Sequence, residues 1–168
     1  MGLHEVTNTL WRERQLLEML LYKLECEQLL LASGRTRWLE AATREVEVVL
    51  DGIKEAELMR AVQVEAIAAD LGLLPNPTLR LLAAAAPAPW DGILEEHRRA
   101  FLELTAEIED LAEANRSLLA RGVAATREMF DRLQSSWSGE PAGAGYGRDR
   151  RDQRGPSNPG PMLVDRNL

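Results

Sequence analysis

The chain has 168 residues, enough for one domain with a real core but not for two comfortable ones. Leu, Ala, Glu and Arg dominate and aromatics make up 5%, a composition that favours helices because such side chains lose little freedom in a helical turn. Residues 1–137 carry 15 Lys+Arg against 23 Asp+Glu, a net of −8, while the remainder carries 5 Arg against 4 acids; so acidic a surface repels a phosphate backbone and argues against general nucleic-acid binding.

Leu3, Leu10, Leu17, Leu24 and Leu31 stand seven residues apart, with Val6, Leu20 and Leu21 between them. Seven residues make two helical turns, so these side chains form a seam on one face of a rod that packs against other rods. The predicted first helix runs from about Glu5 to Ala32, and Ser33-Gly34 ends it. Its Cys26 is the only cysteine, which leaves no internal disulfide and no metal-ligand spacing; it reads as a small hydrophobe. No basic segment followed by an apolar one opens the chain, and Val6 stands where a myristoylation motif wants Ser or Thr. No uncharged apolar run approaches the roughly 20 residues of a membrane span. The expectation is a cytoplasmic protein without membrane insertion.

A second helix is predicted from about Thr36 to Asp70. Its seam is Leu39, Ala42, Val46, Val49, Ile53 and Ala56, after which the apolar phase slips by one to Met59, Val62, Ala66, Ala69 and Leu73. Gly52 is a weak point within it. Pro75 and Pro77 then forbid helix continuation. Thr78 can cap a short helix through Ala86, and Pro87 and Pro89 interrupt again. Asp91 is placed to cap a third long helix reaching about Trp137. Along it Leu94, Phe101 and Ile108 repeat every seven residues, whereas Ile108, Leu119 and Phe130 repeat every eleven. A second stripe of Leu104, Leu111, Leu118, Ala125 and Met129 lies beside the first, so the apolar face after Asn115 is broader than a two-stranded seam uses.

From Ser138 the character changes. Six of the 12 Gly and four of the 8 Pro fall in the last 31 residues, a composition that cannot bury enough apolar surface to offset its ordering entropy. The expected organisation is an all-α, elongated antiparallel bundle of three long helices plus a short one over 1–137, with a disordered tail over 138–168. Tyr146-Gly147 and Met162-Leu163-Val164 are candidate short anchors in that tail.

Catalytic signatures are missing: there is no glycine-rich phosphate loop, nucleophile elbow, CxxC or HExxH. Leu94-Glu95-Glu96-His97 fails the Glu-x-x-His spacing of bundle metal sites, and His97 shares a side with Leu104 and Leu111, as a core or flanking histidine would. Neither an enzyme nor a cofactor is expected. Trp11, Trp38 and Trp90 fall near predicted helix ends and read as structural end-plugs, with Trp137 the more exposed. Asn115, at the stripe's edge, reads as a buried register-setting residue.

The pattern resembles the FlgN family of flagellar type III export chaperones. The likeness is carried by Leu16-Leu17-Glu18 and Leu24-Glu25-Cys26-Glu27-Gln28 in the first helix and Asn115-Arg116-Ser117-Leu118-Leu119 in the third. Tyr146-Gly147 and Leu163-Val164-Asp165 extend it into the tail. Arg35-Thr36-Arg37-Trp38-Leu39 and Pro87-Ala88-Pro89-Trp90 are similar to the actinobacterial branch. The resemblance implies a cytoplasmic chaperone of hook–filament junction proteins of the FlgK and FlgL type. It would bind their C-terminal helices, keep them unassembled and deliver them to the export gate, as a monomer when loaded. Helix-in-groove recognition then places the cargo site on the surplus stripe of the third helix: Leu118, Leu119, Val123, Met129, Phe130, Leu133 and Trp137. Tyr146 matches the family's gate-docking tyrosine, although Gly-Ala-Gly precedes it here and a long Arg/Pro/Gly stretch follows. The competing expectation is a homo-oligomeric coiled-coil tether whose broad stripe is filled by a copy of itself.

Overall fold

In the computed structural model, which describes residues 2–137, the chain is all-α, with no strand among the described residues. Helix α1 spans Leu3–Ala32, a 3-10 turn covers Thr36–Trp38, α2 spans Leu39–Ala68, α3 Leu79–Ala85 and α4 Trp90–Trp137. The tail from Ser138 onward, Tyr146 included, lies outside the described residues. α1 is the shared partner of the fold, packing against both α2 and α4, while α3 packs on α4. α1 and α2 run antiparallel, as ion pairs from Lys23–Glu45 at one end to Arg60–Glu13 near the other require. α4 returns parallel to α1, giving an up-down-up order.

The terminators act as their chemistry dictates. Gly34 takes φ +68°, a left-handed conformation that strains a residue with a Cβ, and Arg35 N–H then caps Leu30 O at 3.0 Å. The Thr78 hydroxyl accepts from Leu81 N–H and opens α3. Gly52 serves α1–α2 packing: a Cβ there would meet Leu16 Cδ2 at 3.3 Å. The small residue thus lets the two helices approach.

The core has two parts. At the closed end Val6 and Leu10 of α1, Val64 and Ile67 of α2, Leu82 and Ala83 of α3 and Leu94 of α4 pack together. Towards the other end Leu20, Leu24 and Val49 are packed by Ile53, Ile108 and Leu111. His97 is buried in the α1–α4 seam, its ring against Trp11 at 4.8 Å and Phe101 at 6.1 Å. Burial, and then the Arg14 charge, hold its pKa below the usual histidine value.

Two expectations are corrected. The seam of α2 does not slip after Ala56: Val64, Ile67 and Ala68 are buried, whereas Met59, Val62, Ala66 and Ala69 are exposed. The heptad continues in phase through two polar residues with partners on α1. Arg60 Nε donates to Glu13 at 2.9 Å, and Thr9 Oγ1 donates to Gln63 Oε1 at 2.8 Å. Trp11 and Trp38 are not end-plugs either, being 47% and 53% exposed. A guanidinium stands over each ring, Arg14 over Trp11 at 5.3 Å and Arg37 over Trp38 at 4.6 Å, which lets a large apolar ring remain at the surface. Trp90 is half-buried against His4.

Candidate functional site

A mismatch of helix lengths builds the site. α4 has 48 residues and α1 has 30, or about 72 and 45 Å at the helical rise. Their N-termini are level, because His4 meets Trp90 at 6.3 Å and Trp11 meets His97. Further up, Asn115 is buried and its Nδ2 donates to Leu24 O at 2.9 Å and to Glu27 Oε2 at 3.2 Å. This buried amide locks the register of α1 and α4, the role read for it in the sequence. α1 then runs out opposite residue ~120 of α4, and five helical turns project beyond it. Every residue from Leu119 to Ser135 is exposed.

Where the projecting helix passes the α1–α2 turn, the two enclose an apolar groove of about 550 Å³. One wall is Leu31, Gly34, Thr36 and Leu39. The other is α4, presenting Leu118, Leu119, Gly122, Val123, Thr126, Arg127 and Phe130. A smaller hollow of about 260 Å³ continues it inward past Asn115 and Arg116 to Leu24 and Glu27. Glu27 is already engaged, accepting from the Thr43 hydroxyl at 2.9 Å as well as from Asn115. No carboxylate lines the larger groove, whereas Arg127 does.

Of the residues expected at the cargo stripe, Leu118, Leu119, Val123 and Phe130 are brought together in this groove. Met129 and Leu133 are exposed on the same projection. The Trp137 side chain lies outside what is described, although α4 reaches that residue. The spacing of 119, 123, 126 and 130 carries on the apolar stripe that half-buries Ile108 and Ala112 lower down, now with no helix opposite it among the described residues. The opposite wall was not foreseen. Its signal was present in the helix lengths, since Leu31 and Leu39 end their seams where a longer third helix must continue alone.

Nothing in this arrangement converges polar groups as catalysis requires. Among the described residues no cluster of His, Cys, Asp and Glu is placed to hold a metal, and no helix is long and apolar enough to cross a membrane. A half-open apolar trough beside an exposed apolar seam, with no helix opposite it among the described residues, is suited to receiving another helix.

The family model for FlgN protein matches residues 1–154. The chain belongs to the FlgN family. No curated protein and no solved structure matches it. Membership makes this FlgN-family chain a flagellar export chaperone whose partners are hook-associated proteins. Family membership and the all-α bundle agree with the sequence reading.

Proposed function

We propose that the groove at the open end of the bundle receives the C-terminal amphipathic helix of a hook–filament junction protein of the FlgK or FlgL type. A single cargo helix occupies one chaperone chain, and the loaded complex is delivered to the export gate. The observation that carries this reading is the exposure of Val123 and Phe130 on a stretch of α4 that has no helix opposite it among the described residues, beside Leu31 and Leu39. Phe130 is 66% exposed, and fully burying such a side chain contributes about 1.5–3 kcal/mol. A cargo helix kept on this seam has its own apolar face covered, which is the condition for keeping it unassembled. The bundle of 1–137 is on this reading the chaperone domain, and the tail carries Tyr146 to the gate.

Phe130→Asp and Leu133→Asp test the site. Both positions are exposed in the free protein, so helix content should be unchanged and the melting temperature should move by only ~2 °C. Binding of a peptide from the cargo C-terminus should be lost, because a carboxylate would then be desolvated in an apolar contact. Unfolding of the variants, or undiminished binding, would assign the stripe another role. Sedimentation of the unloaded chain separates the runner-up: a homo-oligomeric tether self-associates through the same seam with no cargo present.

A further inference from the structure

The charge on this protein is unevenly placed. Residues 33–38 and 116–137, which form the open end, together carry six Arg against two acids, whereas the rest of 1–137 carries nine Lys+Arg against 21 Asp+Glu. An acidic rod thus ends in a basic tip, and the tip is where the groove lies. Not every arginine there faces the groove: helical geometry puts Arg121 on the far side of α4 from Leu119 and Val123. Arg116 and Arg127 do line it, on the edge of the heptad seam. Arg35 and Arg37 flank Gly34 and Thr36 in the opposite wall. Arg37 is stacked on Trp38 at 4.6 Å, and Arg116 shares an exposed pair with Glu113 at 2.7 Å, which costs little to exchange. The side chains of Arg35 and Arg127 make no ion pair among the described residues. Of the two acids of the tip, Glu128 pairs with Arg132 on the outer face of α4, while Asp131 stands one turn beyond Arg127 and outside the residues that line the groove; below the tip, Glu27 is held inside by Asn115 and Thr43.

We infer that the groove selects an amphipathic helix whose apolar heptad seam is flanked by carboxylates. This rests on the groove being the cargo site and adds the chemistry of what it accepts. The apolar seam supplies contact area, but any amphipathic helix has that; the flanking arginines supply discrimination. The occupant lies along Leu119 to Leu133, about 21 Å, so it needs four turns with apolar residues every three or four positions. Glu or Asp at its edge positions meet Arg116 and Arg127 on one side and Arg35 on the other. A helix with Lys or Arg at those positions is repelled at the tip, and the acidic body offers it a competing resting place.

The test uses three synthetic helical peptides of three heptads with one Leu seam and edge positions that are all Glu, all Gln or all Lys. Each is titrated against the full-length chain. The Glu peptide should bind about tenfold tighter than the Gln peptide, the sum expected of a few exposed charge pairs. That preference should fade between about 0.05 and 1 M salt. The double variant Arg116→Glu with Arg127→Glu should invert the order of the Glu and Lys peptides, and Phe130→Asp should abolish binding of the Glu peptide. Equal affinity for all three peptides, each lost in Phe130→Asp, would overturn the charge selection and leave the groove as the cargo site. Failure of all three to bind would remove the groove reading and this inference together. Tightest binding by the Lys peptide, or Glu-peptide binding that survives Phe130→Asp, would overturn the inference by placing the contact elsewhere. Salt-sensitive self-association of the unloaded chain, abolished by Arg127→Glu, would give the groove to a second copy and also overturn it.

Discussion

The ion pair between Glu13 and Arg60 sits where a leucine would be expected, and the structure predicts that two leucines would serve at least as well. The Glu13 side chain is 5% exposed and its carboxylate accepts from Arg60 Nε at 2.9 Å. Burial pushes its pKa above the ordinary carboxylate value even though the Arg60 charge and hydrogen bond pull the other way. Desolvation therefore outweighs what the partner returns. Arg60→Leu alone leaves a buried carboxylate without a counter-ion and should cost about 3 kcal/mol, or roughly 10 °C in melting temperature. Glu13→Leu alone should cost about 1 kcal/mol, because the long Arg60 side chain is partly exposed and can carry its head into water. Glu13→Leu with Arg60→Leu should return to within about 1 kcal/mol of the parent or exceed it, a coupling of about 3 kcal/mol or more. Urea denaturation of the four proteins measures this cycle. The pH dependence supplies a second readout. A carboxyl whose folded pKa is raised above its unfolded value binds protons more readily when folded, so acidification through that folded pKa towards 4.5 adds stability. Relative to Glu13→Leu, the parent should gain on acidification, and Arg60→Leu should gain more. A double variant as unstable as the sum of the singles would refute the reasoning and make the pair an essential clamp of the α1–α2 seam.

His97 titrates in the opposite sense. Its folded pKa lies below the unfolded 6.5, so as pH falls through that value the unfolded chain takes up a proton that the folded one refuses, and stability is lost. His97→Leu should remove this component, flattening the fall in urea midpoint between about pH 7.5 and 5.5; an unchanged slope would contradict it. Tyr146→Ala should leave affinity for a cargo peptide unaltered while lowering secretion of the junction proteins and motility, since a tail aromatic with glycines on either side is suited to a docking contact. Normal export by that variant would separate the tail from gate docking.

Heptad counting located the helices well because each seam is a property of one segment. Leu10 and Leu24 are buried as their spacing demands, and the breaks at Gly34, at Pro75 and Pro77, and at Pro87 and Pro89 fall between elements. The same counting failed on the second half of α2 for a definite reason. It follows apolar residues, and there the inward-facing, half-buried positions are Arg60 and Gln63, whose polar ends meet Glu13 and Thr9 about fifty residues earlier in the chain. With those two discounted, Met59 and Val62 look like the seam, yet Val62 is 68% exposed. The candidate groove was half legible for a related reason. Its α4 wall is a stripe, which periodicity can find, but its second wall is a relation between helices. Whether Phe130 is core or surface depends on where α1 ends alongside α4, and that is set by the register of the pair, held by His4 against Trp90 and Trp11 against His97 at one end and by the Asn115 amide bonded to the Leu24 carbonyl further up. Shifting that contact by two turns towards the α4 C-terminus would place Leu31 beside Thr126 and cover most of the present groove. The exposure of the seam is thus a consequence of register, which no single helix in the sequence encodes.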